Sequence, residues 1–511
     1  MNIRFHARKD RPINEASAVD GKLPVYCPLP GPDYLNYWIP TVSLEQMAAT
    51  EYDALVIGSG AGGGAALWRL CERWRQEGKR IGMIEAGEPV IPTHVQNIST
   101  MNEELAEAYL LNPRVSEPLG EVLPEFRGFR RFRLLGGRTI FWGAVTPRRR
   151  GFELEGWPVT ESELEPYYNI AEQFMRVTRQ FSGESPYTRI LLERLREQVY
   201  PDAEAYPIAA DLESTTFGVI HSNVFFSSIQ FLAAARHARP FDLAVNARAV
   251  RLFTEDGRVT GVKVMSNDKK SFTVRSPIII LSASTLETPR ILLNSGIGGK
   301  SVGHYLTNHT IVTTQASISR KQFPEMLGGL GILIPSTAER HFQIQISGNF
   351  WTQSLNVPLQ EKLLFDLSGF GEVESRYVNR VELDTLKTDA YGVPEIRVRF
   401  SYSDKDRLVI ARMAEELMKS MAALGAAPVP RDGEPDLCLR LPGRPYHECG
   451  TCRMGTDPAY SVTNAHGQVH GVTGLYVADN SVLPTSGAAN PTLTTAALAI
   501  RTADAIAGGL L

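Results

Sequence analysis

The order of apolar and polar positions separates the chain into segments of different character. Residues 1–51 are rich in proline and turn-forming residues and predict an irregular lead-in. After Tyr52 come two short apolar runs, Asp53–Ile57 and Lys79–Ile84, separated by residues 65–77, whose pattern suits a helix. Strand, helix and strand in this order predict a βαβ unit with parallel strands.

A second group of strands is predicted in the middle of the chain. Leu243–Phe253 and Val259–Met265 predict a strand pair, because residues 256–258, with the sequence Asp-Gly-Arg, supply a typical turn between them. Residues 277–281 are apolar throughout and predict a further, buried strand.

The pattern changes again over residues 310–440. Polar and apolar residues alternate there, as in Glu395–Ser401, which predicts an antiparallel sheet with one face in water. Asp404–Leu424 predicts an amphipathic helix. The chain therefore combines a parallel α/β part with an antiparallel part, and we expect two interleaved domains.

Composition narrows the classes of function. The chain is 43% hydrophobic and 21% charged, as in ordinary globular proteins, and its formal net charge of −3 argues against a nucleic-acid or anionic-membrane surface. No apolar run is long enough to span a bilayer, and residues 1–12 lack the apolar segment of a secretory signal. Five cysteines in a chain of this length indicate reduced thiols. We therefore expect a soluble, cytoplasmic protein.

One local charge cluster departs from this balance. Eight arginines lie between Arg127 and Arg150. They form either a solvated surface loop or a contact to a phosphate or another anionic group, and the sequence leaves both interpretations open.

A glycine motif supplies the first candidate site. Gly58, Gly60 and Gly63 form G-x-G-x-x-G between the predicted strand and helix, and Glu85 ends the next strand 22 residues after Gly63. This spacing is typical of a dinucleotide-binding site, in which the three glycines allow a tight turn, approach of the backbone to a pyrophosphate and close helix packing. The helix N-terminus stabilises the phosphates, and Glu85 accepts hydrogen bonds from ribose hydroxyls. The motif does not distinguish FAD from NAD.

Further motifs follow in a fixed order along the chain. They are Leu134-Leu-Gly136-Gly137-Arg138-Thr139, Ser284–Gly298, Tyr446–Gly455, Gly474–Asp479 and Asn490-Pro491-Thr492-Leu493-Thr494. In this combination they resemble the glucose–methanol–choline (GMC) oxidoreductases. Asn490–Thr494 and Thr139-x-x-Trp142 are most similar to pyranose oxidases and to sugar- or glycoside-oxidising members. The resemblance implies FAD as cofactor and oxidation of an alcohol by hydride transfer to flavin N5.

The resemblance also implies a mixed α/β fold, with a Rossmann-like FAD-binding domain and a substrate domain built on a mainly antiparallel sheet. We predict the FAD-binding domain over residues 52–150, 206–310 and 441–511, and the substrate-binding domain over 151–205 and 311–440. In addition to Gly58, Gly60, Gly63 and Glu85, the resemblance implies further residues that contact the cofactor. These are Gly136, Gly137, Thr139, Val250, Asp479, Pro491 and Thr492. Among these residues, Val250 is expected to contact the adenine through its backbone. Asp479 is expected to lie near the flavin phosphate or the ribityl chain.

One position bears on how FAD is held. Some sugar-oxidising relatives attach FAD covalently through a histidine just before the tryptophan that corresponds to Trp142. The residue here is Phe141, which has no nucleophilic nitrogen. We therefore predict that FAD is bound non-covalently.

The predicted chemistry requires a base that takes the hydroxyl proton as the hydride leaves. Among ten histidines, His447 lies within the family motif, and the resemblance makes it the catalytic base. Asn490 matches the family's second active-site position, filled by His or Asn, and its amide can hydrogen-bond the substrate oxygen. Because Pro491 follows it, Asn490 also has the pattern of a helix N-cap, and that helix would direct its positive end at the flavin.

Several alternatives stay open. His447, Cys449 and Cys452 have some metal-ligand spacing, and the two cysteines could form a redox pair, although we predict no metal site. Some GMC relatives keep FAD and use the histidine for lyase chemistry without redox. His304 and His309 follow the second motif but receive no role from the resemblance. The expected partners are a small-molecule alcohol and either oxygen or a quinone- or dye-type acceptor, while the alcohol, the acceptor and the oligomeric state stay open.

Overall fold

The computed structural model describes residues 38–119, 124–212, 224–323, 327–348, 361–430, 433, 435–444 and 446–509. Residues 42–511 belong to one compact unit, and residues 1–41 belong to another. The predicted division of the larger unit into two domains therefore stays a prediction. Most of the predicted lead-in lies outside the described residues, but its last part is not irregular. A short helix forms at Leu44–Ala48, because the side chains of Ser43 and Gln46 satisfy each other's backbone N–H groups.

The described residues form helices and strands in a mixed order, with two long runs of strands on either side of one short helix, Glu287–Asn294. The α-helices are α1 (Leu44–Ala48), α2 (Ala61–Arg73), α3 (Glu103–Leu111), α4 (Glu161–Met175), α5 (Gln180–Gly183), α6 (Pro186–Gln198), α7 (Ile229–Ala238), α8 (Glu287–Asn294), α9 (Asp404–Leu424) and α10 (Thr492–Ala507). The first strands are β1 (Ala54–Ile57), β2 (Ile81–Ile84), β3 (Ser116–Pro118), β4 (Arg130–Phe132), β5 (Val177–Thr178), β6 (Glu204–Ala205), β7 (Ile208–Ala209), β8 (Asp242–Ala244), β9 (Ala247–Glu255), β10 (Arg258–Ser266), β11 (Ser271–Arg275) and β12 (Ile279–Leu281). The later strands are β13 (Thr310–Ser319), β14 (Gly331–Ile334), β15 (Phe342–Ser347), β16 (Lys362–Gly371), β17 (Arg380–Thr388), β18 (Pro394–Arg399), β19 (Ala427–Pro428), β20 (Cys438–Leu439) and β21 (Leu475–Val477).

A five-stranded parallel sheet confirms the predicted βαβ unit. Its strand order is β21-β12-β1-β2-β8, and every neighbouring pair is parallel. The helix α2 begins at Ala61, four residues before the predicted start, with Gly60 as its N-cap. Since parallel strands end at the same edge of a sheet, the residues that follow β1, β2, β12 and β21 meet there.

The predicted strand pair is a hairpin of β9 and β10, with a slightly different boundary. Asp256 and Gly257 form its two-residue turn, and both have positive φ angles, of 48° and 73°. Leu243 does not belong to this hairpin. It lies in β8, which pairs with β2 in the parallel sheet.

The antiparallel part is a larger sheet with the order β19-β13-β16-β15-β14-β6, and β20 also pairs with β13. In β15 the apolar residues Phe342, Ile344 and Ile346 pack into a core that includes residues of α6 and α9. The alternating residues Gln343 and Gln345 lie on the other face and are only 2% and 8% exposed. The predicted wet face is therefore wrong for this strand, because its polar face is covered by the protein.

Elsewhere the alternation predicts the surface correctly. In β18, which pairs with β17 in a separate two-stranded sheet, Ile396 and Val398 are buried while Arg397 and Arg399 are exposed. The helix α9 has the predicted bounds and ends at Gly425, whose φ of 67° closes it in the left-handed conformation. No helix within the described ranges is long and apolar enough to cross a membrane.

Candidate active site and cofactor cavity

One cavity of about 480 Å³ joins the glycine motif to the two predicted catalytic residues. The antiparallel sheet contributes Gln345 of β15 and Phe370 of β16 to its wall. The cavity therefore lies where the carboxyl edge of the parallel sheet meets strands β15 and β16. The predicted site residues that line it are Gly58, Gly60, Glu85, Gly137, Thr139, Asp479, Thr492, His447 and Asn490.

The glycine turn has the geometry predicted for a phosphate site. Gly58 has a φ of +99°, and a Cβ atom there would lie 2.2 Å from the carbonyl oxygen of Ser282. A Cβ on Gly63 would lie 2.0 Å from the carbonyl oxygen of Gly58, so only glycine lets α2 pack this closely. Nothing lies within 4 Å of the place that a Cβ of Gly60 would occupy, and Gly60 lines the cavity. The turn and the start of α2 therefore fit the pyrophosphate of a dinucleotide.

The two acidic residues at the sheet edge are buried and hydrogen-bonded. Glu85 accepts hydrogen bonds from the backbone N–H and hydroxyl of Ser59, at 3.0 and 2.6 Å, and from the N–H of Gly87 at 2.8 Å. Asp479 accepts hydrogen bonds from Ser284 and Ser481 among others. Burial raises the pKa of both carboxyl groups, although these hydrogen bonds oppose the rise. Oε1 of Glu85 keeps a lone pair for a further donor, whereas bonds from Ser284, Thr288 and Ser481 occupy both oxygens of Asp479.

The predicted flavin loop lies beside this turn. The N–H of Gly136 donates to the hydroxyl of Ser59 at 2.9 Å, and the hydroxyl of Thr139 donates to the Gly136 carbonyl at 2.6 Å. Gly136 does not line the cavity itself and instead shapes the turn, with a φ of 89°. Phe141 and Trp142 both line the cavity. Among the described residues that line it, His447 is the only histidine and none is a cysteine.

Two of the predicted cofactor residues lie behind the cavity wall. Val250 is buried, and its carbonyl accepts a hydrogen bond from the Asn294 amide at 2.7 Å, while residues 247–249 line the cavity. Pro491 is the N-cap of α10 and does not line the cavity either. Their predicted contacts with the cofactor stay predictions.

His447 meets a second histidine that has no predicted role. An antiparallel bridge joins Thr307 to Cys449, with N–H to carbonyl distances of 3.0 and 2.9 Å in the two directions. In an antiparallel pair, moving two residues forward on one strand and two residues back on the other gives another pair of facing residues. Counted from Thr307 and Cys449, that pair is His309 and His447. Their Nδ1 atoms are 2.9 Å apart.

The hydrogen-bond partners of His309 determine which nitrogen of His447 carries the proton. His309 Nε2 lies 3.2 Å from the carbonyl oxygen of Ser486, which can only accept, so Nε2 carries the proton. In a neutral His309 the Nδ1 atom is then an acceptor, and His447 must donate to it from its own Nδ1. The free lone pair of a neutral His447 is therefore on Nε2, which is the form that a general base requires.

Burial favours this neutral pair. It lowers the pKa of His309 to about 3, assisted by the nearby charge of Arg149. Burial also lowers the pKa of His447 well below 6.5, and the charges of His309 and Arg138 act in the same direction. Both imidazoles are therefore uncharged at neutral pH.

Asn490 has different partners from those of a helix cap. The helix α10 begins at Thr492 with Pro491 as its N-cap, so the predicted N-cap role of Asn490 is wrong. Its Oδ1 atom instead accepts hydrogen bonds from the amides of Gln343 and Gln345, at 2.8 and 2.7 Å. Both glutamines come from β15, which the sequence motifs did not indicate, although glutamines alternating with isoleucines on a strand were a visible signal.

A buried carboxylate fixes the backbone that leads to Asn490. Glu153 Oε1 accepts hydrogen bonds from the N–H groups of Ala488 and Ala489, at 2.7 and 3.2 Å. Its Oε2 atom accepts from the N–H of Arg150 at 3.0 Å. These bonds tie the segment before Asn490 to the chain near Arg150.

The arginine-rich stretch is not simply a solvated surface loop, and its predicted contact with a phosphate or another anionic group stays a prediction. Much of its charge is neutralised by carboxylates, as where Arg131 bonds Glu287 at 2.7 Å. Arg138 pairs with the fully buried Glu448 at 2.6 Å and lines the cavity near His447. Four of the eight arginines form ion pairs with carboxylates of the described residues, and three of these four line the cavity, namely Arg131, Arg133 and Arg138.

The remaining candidates lie apart from this chemistry. Cys449 and Cys452 are buried, free thiols, and no group of three possible metal ligands occurs in the described part of the chain. Cys27 lies outside the described residues. His304 stacks on Tyr377 with ring centroids 3.8 Å apart and does not line the cavity.

Comparisons with known proteins identify the relatives of this chain. Models described as GMC oxidoreductase match residues 135–311 and 374–499, which together are more than half of the chain. The chain is 29% identical to a C-glycoside 3-oxidase of Arthrobacter globiformis, covering 73% of each chain. It is 27% identical to a 2-methyl-1,2-propanediol dehydrogenase of Mycolicibacterium austroafricanum, covering 90% of this chain and 96% of the relative. The crystal structure of pyridoxine 4-oxidase from Mesorbium loti shares the fold, with a TM-score of 0.64, 18% identity and coverage of 88% and 98%.

Proposed function

Because the chain belongs to the GMC oxidoreductase family, whose members bind FAD and oxidise CH–OH groups, we propose that it oxidises a sugar or glycoside hydroxyl with His447 as the base. The observation that carries this role is the bond between His447 and His309, which leaves Nε2 of His447 as the free acceptor. When bound, FAD supplies the acceptor for the hydride of the carbinol carbon.

The side chains around the cavity divide the remaining work. His447 takes the hydroxyl proton on Nε2, and the neutral state of the pair makes this acceptor available at neutral pH. Asn490 holds the substrate oxygen by a hydrogen bond. The turn from Gly58 to Gly63 would hold the pyrophosphate, and Glu85 the ribose hydroxyls.

The choice of a sugar or glycoside rests on two kinds of support. Asn490–Thr494 has the motif that is most similar to sugar-oxidising members, and a relative at 29% identity is a C-glycoside 3-oxidase. The named relatives are oxidases and dehydrogenases, so the comparisons do not favour the lyase alternative. The acceptor stays open between oxygen and a quinone or dye, and a cytoplasmic location stays a prediction from the sequence.

Non-covalent binding of FAD is part of the proposal. Phe141 lines the cavity at the position where some relatives have the attaching histidine, and its ring has no nucleophile. His447 is not proposed as an attachment site either, because its Nδ1 atom bonds His309 and its Nε2 atom is the proposed base.

Anaerobic reduction of the bound flavin tests the function. The FAD-loaded protein is mixed with D-glucose, a C-glucoside or 2-methyl-1,2-propanediol, and the loss of flavin absorbance is followed. Bleaching by a sugar or glycoside, lost in His447→Ala, supports the proposal. Bleaching by the diol alone would overturn the substrate class, and conversion of a substrate while the flavin stays yellow would establish a lyase. Re-oxidation by oxygen or by benzoquinone then identifies the acceptor.

A further inference from the structure

Two hydrogen-bond donors from β15 hold the side chain of Asn490. Gln343 and Gln345 are two residues apart on β15, so their side chains lie on the same face, and both amides reach Oδ1 of Asn490. All three residues are buried, with exposures of 2%, 8% and 9%. A carbonyl oxygen has two lone pairs, so the two glutamines fill the acceptor capacity of Asn490.

This arrangement leaves one group of Asn490 for the cavity. The amide nitrogen Nδ2 has no hydrogen-bond partner among the described residues, and Asn490 lines the cavity. With the amide nitrogens of Gln343 and Gln345 directed at Asn490, turning over the Asn490 amide alone would bring three NH₂ groups together and lose both hydrogen bonds. The hydrogen-bond pattern therefore fixes the orientation of the amide, with its nitrogen as the group available to a ligand.

We infer that Gln343 and Gln345 are positioning residues that fix Asn490 as a pure hydrogen-bond donor to the substrate oxygen. This inference rests on the proposed function and specifies one part of it. A donor at this place stabilises negative charge that develops on the oxygen as the hydroxyl proton leaves, and it does so without moving during the reaction. Asn490 thereby complements His447, which accepts the proton from the same oxygen.

Gln343 is the residue on which the inference is best tested. Gln345 lines the active-site cavity, so its replacement could change substrate contacts directly. Gln343 does not line that cavity and lies instead at a second, polar cavity of about 540 Å³ beside Ala489. Any effect of Gln343 on the reaction must therefore pass through another side chain.

The experiment compares Gln343→Met with Gln343→Glu in the FAD-loaded protein. Methionine removes one of two donors, so the limiting rate of flavin reduction by the substrate should fall about 2- to 10-fold, with little change in substrate affinity. An ionised glutamate accepts from Nδ2 and turns the amide, so at pH 8 the rate should fall about 10²-fold. Lowering the pH protonates the glutamate and restores a donor, so this variant alone should speed up as the pH falls. Equal losses in both variants, with no such rise, would overturn the inference.

A double-mutant cycle separates action through Asn490 from general damage. In an Asn490→Ala background neither Gln343 variant should lower the rate by more than about 2-fold further, whereas losses that multiply would contradict the inference. The same set of variants can be compared by the urea concentration at the midpoint of unfolding, which needs no turnover. The shifts of this midpoint caused by the Gln343 and Asn490 substitutions should be non-additive. Additive shifts would show that the bond is absent. If no alcohol reduces the wild-type flavin, the proposed function fails, while the unfolding cycle still decides whether the glutamines hold Asn490.

Discussion

Replacing His309 by methionine removes the group that holds His447 by its Nδ1 atom. In the structure these two Nδ1 atoms are 2.9 Å apart, and Ser486 fixes the direction of the bond. Methionine has a similar volume but offers only a weak acceptor. His447 therefore loses the partner that keeps its lone pair on Nε2, although His309 does not line the cavity.

The expected loss follows from the free energy of an unpaired buried N–H. Leaving the Nδ1–H of His447 without an acceptor costs about 1–3 kcal/mol. The ring escapes this cost by changing tautomer or by rotating, and either change removes the Nε2 lone pair from the substrate hydroxyl. At about 1.4 kcal/mol for each factor of ten, the reactive arrangement becomes about 5- to 150-fold less populated.

Stopped-flow reduction of the bound flavin, measured over a range of substrate concentrations, separates this effect from binding. The limiting rate of His309→Met should fall by that factor, while the substrate dissociation constant changes by less than about 2-fold. His309→Gln is the matched control, because its amide can accept from His447 and donate to Ser486, and it should retain most of the rate.

The pH profile gives an independent readout. His309 is one of the groups that lower the pKa of His447, so its removal raises that pKa. Since the base must be neutral to act, the acid limb of the rate profile should move to higher pH in His309→Met. A variant with the wild-type rate and the wild-type profile would refute the proposed role of the pair.

The same geometry gives four further predictions. His447→Ala should keep FAD, but its flavin reduction should be about 10²- to 10⁴-fold slower, and near-normal reduction would exclude His447 as the base. Acid precipitation of the wild-type protein should release its FAD, because Phe141 offers no attachment, and mass spectrometry of the pellet would reveal any retained flavin. The wild-type rate of flavin reduction should stay level from pH 8 to pH 6, since the pKa of His447 lies well below 6.5, and a midpoint near 6.5 would contradict this. Buried His94 and His309 have pKa values of about 4 and about 3, so between pH 6.5 and pH 4 the unfolded chain binds protons that the folded chain does not. Stability to urea should therefore decrease as the pH falls, by up to about 3 kcal/mol for each histidine at pH 4, and His94→Gln should reduce this dependence.

The sequence by itself determined the parts of this protein that depend on neighbouring residues. The turn from Gly58 to Gly63 and the spacing to Glu85 are local, because a strand, a tight turn and a helix start follow one another within a few residues. The helix α9 was predictable for the same reason. Its alternation of apolar and polar residues, its N-cap Ser403 and its C-cap Gly425 all lie in one continuous segment. The family motifs added His447 and Asn490, which the structure brings to one cavity.

Only the tertiary structure decided what these side chains touch. His309 is 138 positions from His447, and they meet because the bridge between Thr307 and Cys449 sets the register of two distant segments. The glutamines of β15 lie 147 and 145 positions from Asn490, and alternation along the strand could not reveal that its polar face is covered by the protein. Contacts of this kind depend on how segments that are far apart in sequence pack against each other, and no local pattern of residues encodes that packing.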